Sequence, residues 1–405
     1  MALKPTRLGT NGAGLRKSRS WIESFIDHTS NLESAPLFRK WAAITCIAAT
    51  LEQKVWLSTS DKLYPNLYTI LVGHPGVGKT RTIMSGRKFL AELPEFHIAP
   101  TSMKMASLVD SLLSAKRTII QLPNPAVEFN SMAILVDEWT AFMHAFDDEL
   151  VGGLTTFYDV VVPYEHHRRG KDIRIKIARP QLSILAGSTP SNLIKFMPEF
   201  AWDQGFTSRV ILVYSNERFI GDDFAASRRD LPEGMIHDLK LIYSLQGEFE
   251  VSKEYRDAVN EWRSQNEVPK PTHPKLEHYN TRRRTHIYKL SMVAAVDEGN
   301  RLLLTGEHFN IALSWLREAE LNMGEVFEAG STSIDARAMD EIADFIRRQG
   351  TPVPQYRIIH FARNLLPAHS VMKVLELMSL SGMIGRVGED KGQGLFIAND
   401  SPPQF

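Results

Sequence analysis

The chain has 405 residues, enough for about two to three domains of ~150 residues each. Lysine and arginine together number 47, as do aspartate and glutamate, and this charge balance disfavours a globally basic nucleic-acid coat. Hydrophobic residues make up 43% of the chain, which disfavours a disordered or collagen-like protein. A single cysteine, Cys46, excludes an internal disulfide and favours a reducing, intracellular setting. The longest apolar run, Trp41–Thr50, is half the ~20 residues of a membrane helix, and the polar N-terminus is not a secretory signal.

The first 62 residues divide into a tail and a helical segment. Residues 1–19 carry five basic side chains and no acid, which predicts a mobile basic tail, either functional or merely solvated. Residues 20–62 are predicted as an N-terminal helical segment. Its aromatic and aliphatic side chains recur at helical spacings, namely Trp21, Phe25, Phe38, Trp41 and Ile44.

Residues 63–222 are predicted to form an α/β core with a parallel sheet, because apolar strand-like runs alternate with helical segments. The predicted strands are Leu67–Val72, Phe96–Ala99, Ala133–Val136, Leu182–Ala186 and Val210–Tyr214. A helix is predicted over Ser102–Lys116. After about Phe219 the strand signals stop, and residues 223–330 are predicted as a helical region.

A glycine-rich phosphate-loop pattern directly follows the first predicted core strand. It consists of Gly73, His74, Pro75, Gly76, Val77, Gly78, Lys79 and Thr80 and fits G-x-x-x-x-G-K-[ST]. Glycines allow the tight backbone that points N–H groups at phosphates, and the following helix adds the positive end of its dipole. Lys79 is expected to bind the β- and γ-phosphates and Thr80 to bind Mg²⁺. A structural glycine turn is the alternative interpretation.

Two acids end the strand-like run Ser131–Glu138. In a parallel sheet the carboxyl ends of the strands face the ligand crevice. Asp137 is therefore expected to hold the Mg²⁺ water shell, and Glu138 to polarise the attacking water. The alternative is a strand end that merely meets two surface acids.

Further polar residues follow the later strands. Ser188 and Thr189, after Leu182–Ala186, are the candidates for a sensor of water and γ-phosphate, although Ser-Thr-Pro is also a common turn. Arg209, just before the last predicted strand, is a candidate arginine finger for a neighbouring subunit. An ordinary surface charge is the other interpretation of Arg209.

The order of phosphate loop, Asp-Glu strand, polar sensor strand, arginine and helical lid resembles the AAA+ class of P-loop ATPases. Three segments are similar to helicase-type ATPases of phages, prophages and primase-helicase fusions: Tyr64–Tyr68, Arg179–Leu185 and Phe206–Leu212. The resemblance covers about Trp21–Phe219. The chain differs from the dual-function members, because we see no primase-polymerase region ahead of the predicted core and its one cysteine cannot form a cysteine-type zinc site.

The helical region after the core resembles the lid of the minichromosome maintenance helicases at Thr281–Ser291 and Leu304–Ala312. The resemblance implies that Arg282 is a second ATP-sensing arginine, with Arg283 and Arg284 as open alternatives. A solvated basic turn at the start of a helix is the other interpretation.

The strand-like runs Thr156–Val162 and Asp172–Ala178 flank the basic, glycine-containing segment Pro163–Lys171, which predicts a hairpin, and 164–178 is its expected DNA-contacting part. Related ring helicases carry a hairpin that projects into the central pore at this place. The residues expected to contact DNA phosphates are His166, His167, Arg168, Arg169 and Lys171. Neighbouring strand residues point to opposite faces, so a metal shared by the adjacent histidines is disfavoured. The alternative is an exposed hairpin that charge keeps soluble.

Residues 331–405 are predicted as a winged-helix domain. Three helices are expected at Ala336–Arg348, Pro354–Arg363 and Ala368–Ser381, and two short strands around a glycine-rich turn at Gly385–Ala398. The third helix offers His369 and Lys373 but also Glu376, so DNA contact and protein docking both stay open.

Together with the resemblance, these features predict an ATP-driven, ring-forming helicase or translocase of phage or mobile-element replication. The expected cofactors are ATP and Mg²⁺. The expected partners are single-stranded or forked DNA, further copies in a homo-hexamer, and replication proteins bound by the winged helix or basic tail. No membrane partner is expected, and the expected location is the cytoplasm of a bacterial host. The alternatives are an AAA+ replication initiator or helicase loader that uses ATP as an assembly switch, and an ATPase of a defence or transposition system.

Overall fold

The structure is a computed structural model that describes residues 16–119, 126–142, 148–160, 163–168, 173–197, 205–219, 231–390 and 393–399. The chain divides into two compact units, Met1–Val326 and Phe327–Phe405. Helices and sheets with parallel strands make the fold α/β, as the sequence predicts. Within the described ranges, no helix is both long enough and apolar enough to cross a membrane.

Helices and strands alternate along the first unit. The helices are α1 (Trp21–His28), α2 (Pro36–Leu51), α3 (Lys79–Ala91), α4 (Met105–Ser114), α5 (Trp139–Phe142), α6 (Asp148–Asp159), α7 (Pro190–Phe196), α8 (Glu233–Tyr243), α9 (Lys253–Ser264), α10 (Glu277–Gly299) and α11 (Gly306–Leu321). The strands are β1 (Val55–Ser58), β2 (Lys62–Leu63), β3 (Tyr68–Val72), β4 (Lys116–Ile119), β5 (Val127–Val136), β6 (Tyr164–Arg168), β7 (Ile173–Ile177), β8 (Pro180–Ser188), β9 (Val210–Tyr214), β10 (Gly247–Glu248), β11 (Glu250–Val251) and β12 (Leu303–Leu304).

Parallel strands form the centre of the first unit. In the described residues the main sheet has the order β4-β5-β8-β3-β9, in which β4 runs antiparallel to β5 and the other strands are parallel. Every residue of β3, β8 and β9 is buried, which explains why these strands are apolar runs in the sequence rather than alternating patterns. The strands predicted at Leu67–Val72, Leu182–Ala186 and Val210–Tyr214 are confirmed, and Ala133–Val136 ends the longer β5.

Two predictions between β3 and β5 are only partly right. The predicted strand Phe96–Ala99 contributes a single parallel bridge, from Ile98 to Ala133. The helix predicted over Ser102–Lys116 is the shorter α4, because Lys116 already begins β4 and its backbone pairs with β5.

The strand predicted over Thr156–Val162 is wrong for residues 156–159, which form the last turn of α6. The buried side chains of α6 recur at spacings of three and four, namely Val151, Leu154, Phe157 and Tyr158. Burial of this helical face outweighs the local preference of the β-branched residues for a strand. Residues 161 and 162 lie outside the described part of the chain.

The predicted tail 1–19 is described only from Arg16 onward, and residues 1–15 lie outside the described ranges. The N–H groups of Lys17 and Ser18 donate to the buried carboxylate of Asp238 at 2.7 and 2.8 Å. The Arg16 guanidinium donates to the backbone oxygen of Asp297 at 2.6 Å. Residues Arg16 to Ser18 are therefore held against α8 and α10 rather than free in solvent.

The predicted segments 20–62, 63–222 and 223–330 fall largely within one compact unit. A short parallel pair joins the third segment to the first, since β10 pairs with β1. Helix α10 contacts α2 and the short 3-10 helix Thr207–Arg209 in front of β9. Residues 220–230, where the third segment was predicted to start, lie outside the described ranges.

The second unit contains the three helices predicted from the sequence. Its elements are α12 (Glu325–Gln349), which begins just before the division, β13 (Val353–Pro354), α13 (Gln355–Ala362), α14 (Ala368–Leu380), β14 (Ile384–Asp390) and β15 (Gln393–Ala398). The strands form an antiparallel sheet in the order β13-β15-β14. In the first of these helices Ile342 and Ile346 are buried, and Phe345 stacks on Phe361 with 4.3 Å between ring centres.

A buried polar network joins α10 to α6 and to the chain before β3. His286 Nε2 lies 3.0 Å from the backbone oxygen of Ser208, so Nε2 carries the proton and Nδ1 accepts from the Tyr158 hydroxyl at 3.4 Å. Lys289 Nζ donates to the backbone and side-chain oxygens of Asn66 at 2.9 and 2.7 Å, and lies 3.9 Å from the centre of the Tyr158 ring. Burial lowers the pKa of His286 to about 3 and the pKa of Lys289 well below its usual value.

The neutral state of His286 predicts a pH dependence of stability. Its pKa falls from an ordinary 6.5 to about 3 on folding, so the unfolded chain takes up the proton first as the pH falls. The contribution of His286 to the free energy of unfolding is therefore complete above its unfolded pKa and falls by about 2 kcal/mol by about pH 5. Chemical denaturation across this pH range should show the loss, and His286→Gln should reduce the pH slope. Equal slopes in both proteins would contradict this assignment.

Candidate functional site

The loop between β3 and α3 has the backbone shape that its glycines predict. Gly76 and Gly78 have φ angles of 85° and 77°, which residues with a Cβ rarely adopt. A Cβ on Gly78 would also lie 1.9 Å from the backbone oxygen of Glu33, so the close approach of the preceding chain requires glycine there. At the base of the loop, the Gly73 N–H donates to the backbone oxygen of Ser188 at 3.2 Å.

Lys79 lies within the curve of this loop. Its Nζ donates to the backbone oxygens of Gly73 and His74 at 2.6 and 2.9 Å, and the residue is 8% exposed. Burial lowers the pKa of Lys79, and the negative charge of Glu138 opposes that shift. Val77 is also buried, whereas four residues of the loop are exposed, namely His74, Pro75, Gly76 and Thr80.

The strand order brings three strand ends to the same edge as the loop. Strand β8 lies between β3 and β5, and its register pairs Val72 with Ser188. Strand β5 ends beside it, with Val136 opposite Ala186. The sheet therefore places Ser188 between the glycine loop and the two acids that follow β5.

Glu138 and Ser188 meet at this edge. The Glu138 carboxylate lies 3.5 Å from the Ser188 hydroxyl and 3.3 Å from the Thr140 hydroxyl. The backbone of Asp137 passes so close to Gly187 that a Cβ there would lie 2.4 Å from the Asp137 oxygen. The acid pair thus lies directly against the end of β8.

Ser188 and Thr189 have different surroundings. The Thr189 hydroxyl accepts the N–H of Asn192 at 3.2 Å and caps helix α7. Ser188 is 0% exposed, and its hydroxyl is the one that faces Glu138. Of the two sensor candidates, the structure brings Ser188 to the acid.

One polar contact with the loop was not predicted from the sequence. Strand β9 lies on the other side of β3, with Tyr214 opposite Val72. Asn216, two residues after β9, accepts the N–H of His74 at 3.1 Å with its side-chain oxygen. A polar residue just past the end of a buried strand was the available signal, but an isolated asparagine belongs to no recognisable motif.

Arg209 lies at the opposite edge of the sheet. It precedes β9, which starts opposite the start of β3. Arg209 is 7% exposed, its Nη1 donates to the Gly205 backbone oxygen at 2.6 Å, and its Nη2 donates to the carboxylate of Asp159. A five-residue strand spans about 13 Å, so the structure does not bring Arg209 to Lys79 of the same chain.

The three adjacent arginines of α10 have three different environments. Arg282 Nη1 donates at 2.9 Å to the Asp159 carboxylate, which also binds Arg209. Arg283 is fully buried and makes a bidentate pair with Glu320, with N–O distances of 2.7 and 2.8 Å. Arg284 is exposed. Arg283 is therefore a structural residue, and Arg282 is the one that lies beside Arg209.

A hairpin of β6 and β7 is present within 164–178, but its first strand is not the predicted run Thr156–Val162. Strand β6 is formed by residues predicted to connect the two runs, and β7 lies within the predicted run Asp172–Ala178. The two strands pair antiparallel, with His166 opposite Ile175 and His167 opposite Arg174. Arg168 is the last residue of β6. Arg169 and Lys171, in the turn, lie outside the described residues.

The two residues predicted to bind Mg²⁺ lie at the loop edge of the sheet. Thr80 is exposed on the first turn of α3, and Asp137 is half-buried at the end of β5. A hydroxyl and one carboxylate fit Mg²⁺, which keeps several waters and takes further oxygen ligands from phosphates. In the described part of the chain, no group of three or more His, Cys, Asp or Glu could hold a metal ion without such help.

No known protein family matches this chain, and no curated protein is significantly similar to it. The function is therefore inferred from the residues and their geometry.

Proposed function

We propose that this chain is an ATP hydrolase that acts as a ring-forming DNA helicase or translocase in phage or mobile-element replication. The observation that supports the proposal most directly is the meeting of the glycine loop, Lys79, Glu138 and Ser188 at one edge of a parallel sheet. This edge is where open α/β sheets bind ligands, and a glycine loop leading into a helix N-terminus binds phosphate.

The residues at this edge fit the hydrolysis of ATP bound together with Mg²⁺. When bound, the Mg²⁺ ion would neutralise negative charge on the phosphates. The loop N–H groups and Lys79 would bind the phosphates, and Thr80 and Asp137 would hold the metal ion. Glu138 would accept a proton from the attacking water, and Ser188, 3.5 Å from Glu138, would orient that water.

The position of the arginines favours a ring. Arg209 and Arg282 share Asp159 at the amino edge of the sheet, about one strand length from the loop. That distance exceeds the reach of an arginine side chain, so neither can serve the nucleotide of its own chain. Both would act on a nucleotide bound by a neighbouring copy, and a homo-hexamer is the assembly we propose.

DNA would be contacted by the β6–β7 hairpin, which carries His166, His167 and Arg168 on its first strand. The three helices and β-hairpin of the second unit are the elements of a winged helix, which would bind duplex DNA or a replication protein.

The decisive experiment measures ATP hydrolysis with and without single-stranded DNA, together with strand displacement on a forked duplex. The helicase proposal expects stimulation by single strands and ATP-dependent displacement. Weak turnover with binding specific to duplex DNA would instead support an initiator or helicase loader.

Variants of the loop and of the acid should separate binding from hydrolysis. Lys79→Ala should abolish ATP-dependent activity, because the loop loses its side-chain cation. Glu138→Gln should still bind ATP but hydrolyse it slower by roughly 10²–10⁴, the usual effect of losing a general base. Nucleotide titration and phosphate release measure the two steps, and Glu92→Gln, an exposed acid after α3, is the control. Wild-type turnover by Glu138→Gln would show that another group activates the water.

A mixing experiment tests whether Arg209 acts on a neighbour. Arg209→Ala should lose about 10³–10⁵ in rate if it removes an arginine finger. When Arg209→Ala is mixed with inactive Lys79→Ala, some interfaces join an intact loop to an intact arginine, so hydrolysis should partly return. If Arg209 serves its own site, every site keeps one defect and mixing restores nothing.

The hairpin prediction concerns salt dependence. Replacing Arg168, Arg169 and Lys171 by Ala should weaken binding to single-stranded DNA and reduce the slope of log affinity against log salt by up to about two. ATP hydrolysis without DNA should persist. Lys176→Ala, on β7 and paired with Glu165 at 2.6 Å, is the control. An unchanged salt slope would place the DNA path elsewhere, such as on the second unit.

A further inference from the structure

A single carboxylate binds both arginines that the proposed function assigns to a neighbouring copy. Asp159, the last residue of α6, accepts from Arg282 Nη1 through Oδ1 at 2.9 Å and from Arg209 Nη2 through Oδ2. Each carboxylate oxygen thus serves one guanidinium. The two cations come from segments far apart in the chain, and Asp159 holds them side by side.

Among the residues that the structure describes, the cluster carries more positive than negative charge, and its hydrogen bonding is incomplete. Two guanidinium groups, which stay charged in proteins, face one carboxylate. Among the described residues, the buried Nε of Arg209 has no hydrogen-bond partner. A buried donor without a partner is costly, and excess positive charge attracts an anion. Both features fit a cluster that is completed by a negatively charged group from outside this chain.

We propose that Asp159 is a positioning residue, which keeps Arg209 and Arg282 side by side and directed at the phosphates of a nucleotide bound to the neighbouring copy. This inference rests on the proposed function. Without the carboxylate, the two guanidinium groups would repel each other, and the buried Arg209 would lose its charged partner. Asp159 would contact neither the nucleotide nor the attacking water and would act only through the two arginines.

The first test replaces the carboxylate in the full chain. Asp159→Asn keeps one acceptor oxygen but presents an NH₂ donor to the second guanidinium, so it can hold only one arginine. The kcat of ATP hydrolysis should fall by roughly ten- to a hundredfold, the effect of losing one charge-assisted hydrogen bond. The affinity for ATP should not change, because the loop lies at the opposite edge of the sheet. An unchanged kcat would overturn the proposal.

Two control variants accompany this test. Asp159→Glu keeps both carboxylate oxygens and should recover much of the lost kcat. Glu128→Gln removes an exposed acid that pairs with Lys116 at 2.7 Å across β4 and β5, and it should leave kcat unchanged. A loss in Asp159→Glu as large as in Asp159→Asn would contradict a role that depends on the charge.

Mixing separates positioning from a general structural defect. Asp159→Asn has an intact loop but misplaced arginines, whereas Lys79→Ala has a defective loop but correctly placed arginines. Their mixture should regain hydrolysis at interfaces that join the intact loop to the correctly placed arginines. A mixture of Asp159→Asn with Arg209→Ala should not, because both defects lie on the same side of every interface. Exchange of copies is verified beforehand by energy transfer between labelled chains.

The outcomes distinguish this inference from the proposed function. If Arg209→Ala recovers with Lys79→Ala but Asp159→Asn does not, the role of Asp159 is overturned and the proposed function stands. If neither mixture recovers, the action of the arginines on a neighbour is overturned, and this inference with it.

Discussion

The parallel pairing of β8 with both β3 and β5 is the constraint on which the candidate site depends. It brings the glycine loop, Ser188 and the Asp137–Glu138 pair to one edge although they are far apart in the chain. A slip of β8 by one residue would turn the Ser188 side chain to the other face of the sheet, away from Glu138. Such a slip is opposed because every residue of β3 and β8 is buried and would have to be repacked.

The direction of the parallel strands also separates the polar residues into two groups. The loop and Glu138 lie at the carboxyl edge, and Arg209 and Arg282 lie at the amino edge, so one copy does not bring the two groups together. Under the proposed function, this separation makes catalysis a property of the interface between copies. Asp159 ends the helix that precedes the β6–β7 hairpin, so the carboxylate that binds both arginines and the proposed DNA contact are neighbours in the chain.

A buried polar network holds helix α10 against α6 and against the chain before β3. His286 and Lys289 of α10 bond to Ser208, Tyr158 and Asn66, and their pKa values fall because burial disfavours their charged forms. Burying such groups costs free energy unless each finds a partner, so they add little net stability but require one arrangement of α10 against α6. That arrangement places Arg282 next to Arg209.

The sequence alone determined the features that depend on local physics. Glycine is favoured where φ is positive, and a strand buried on both faces must be continuously apolar, so the glycine loop and strands β3, β8 and β9 were predictable. Tertiary structure decided what depends on contacts between distant segments. It made residues 156–159 helical, paired Arg282 with Asp159 and Arg283 with Glu320, and brought Asn216 to the glycine loop. No local pattern marks these residues, because the free energy of an ion pair or a hydrogen bond depends on where the partner lies in space, not in the chain.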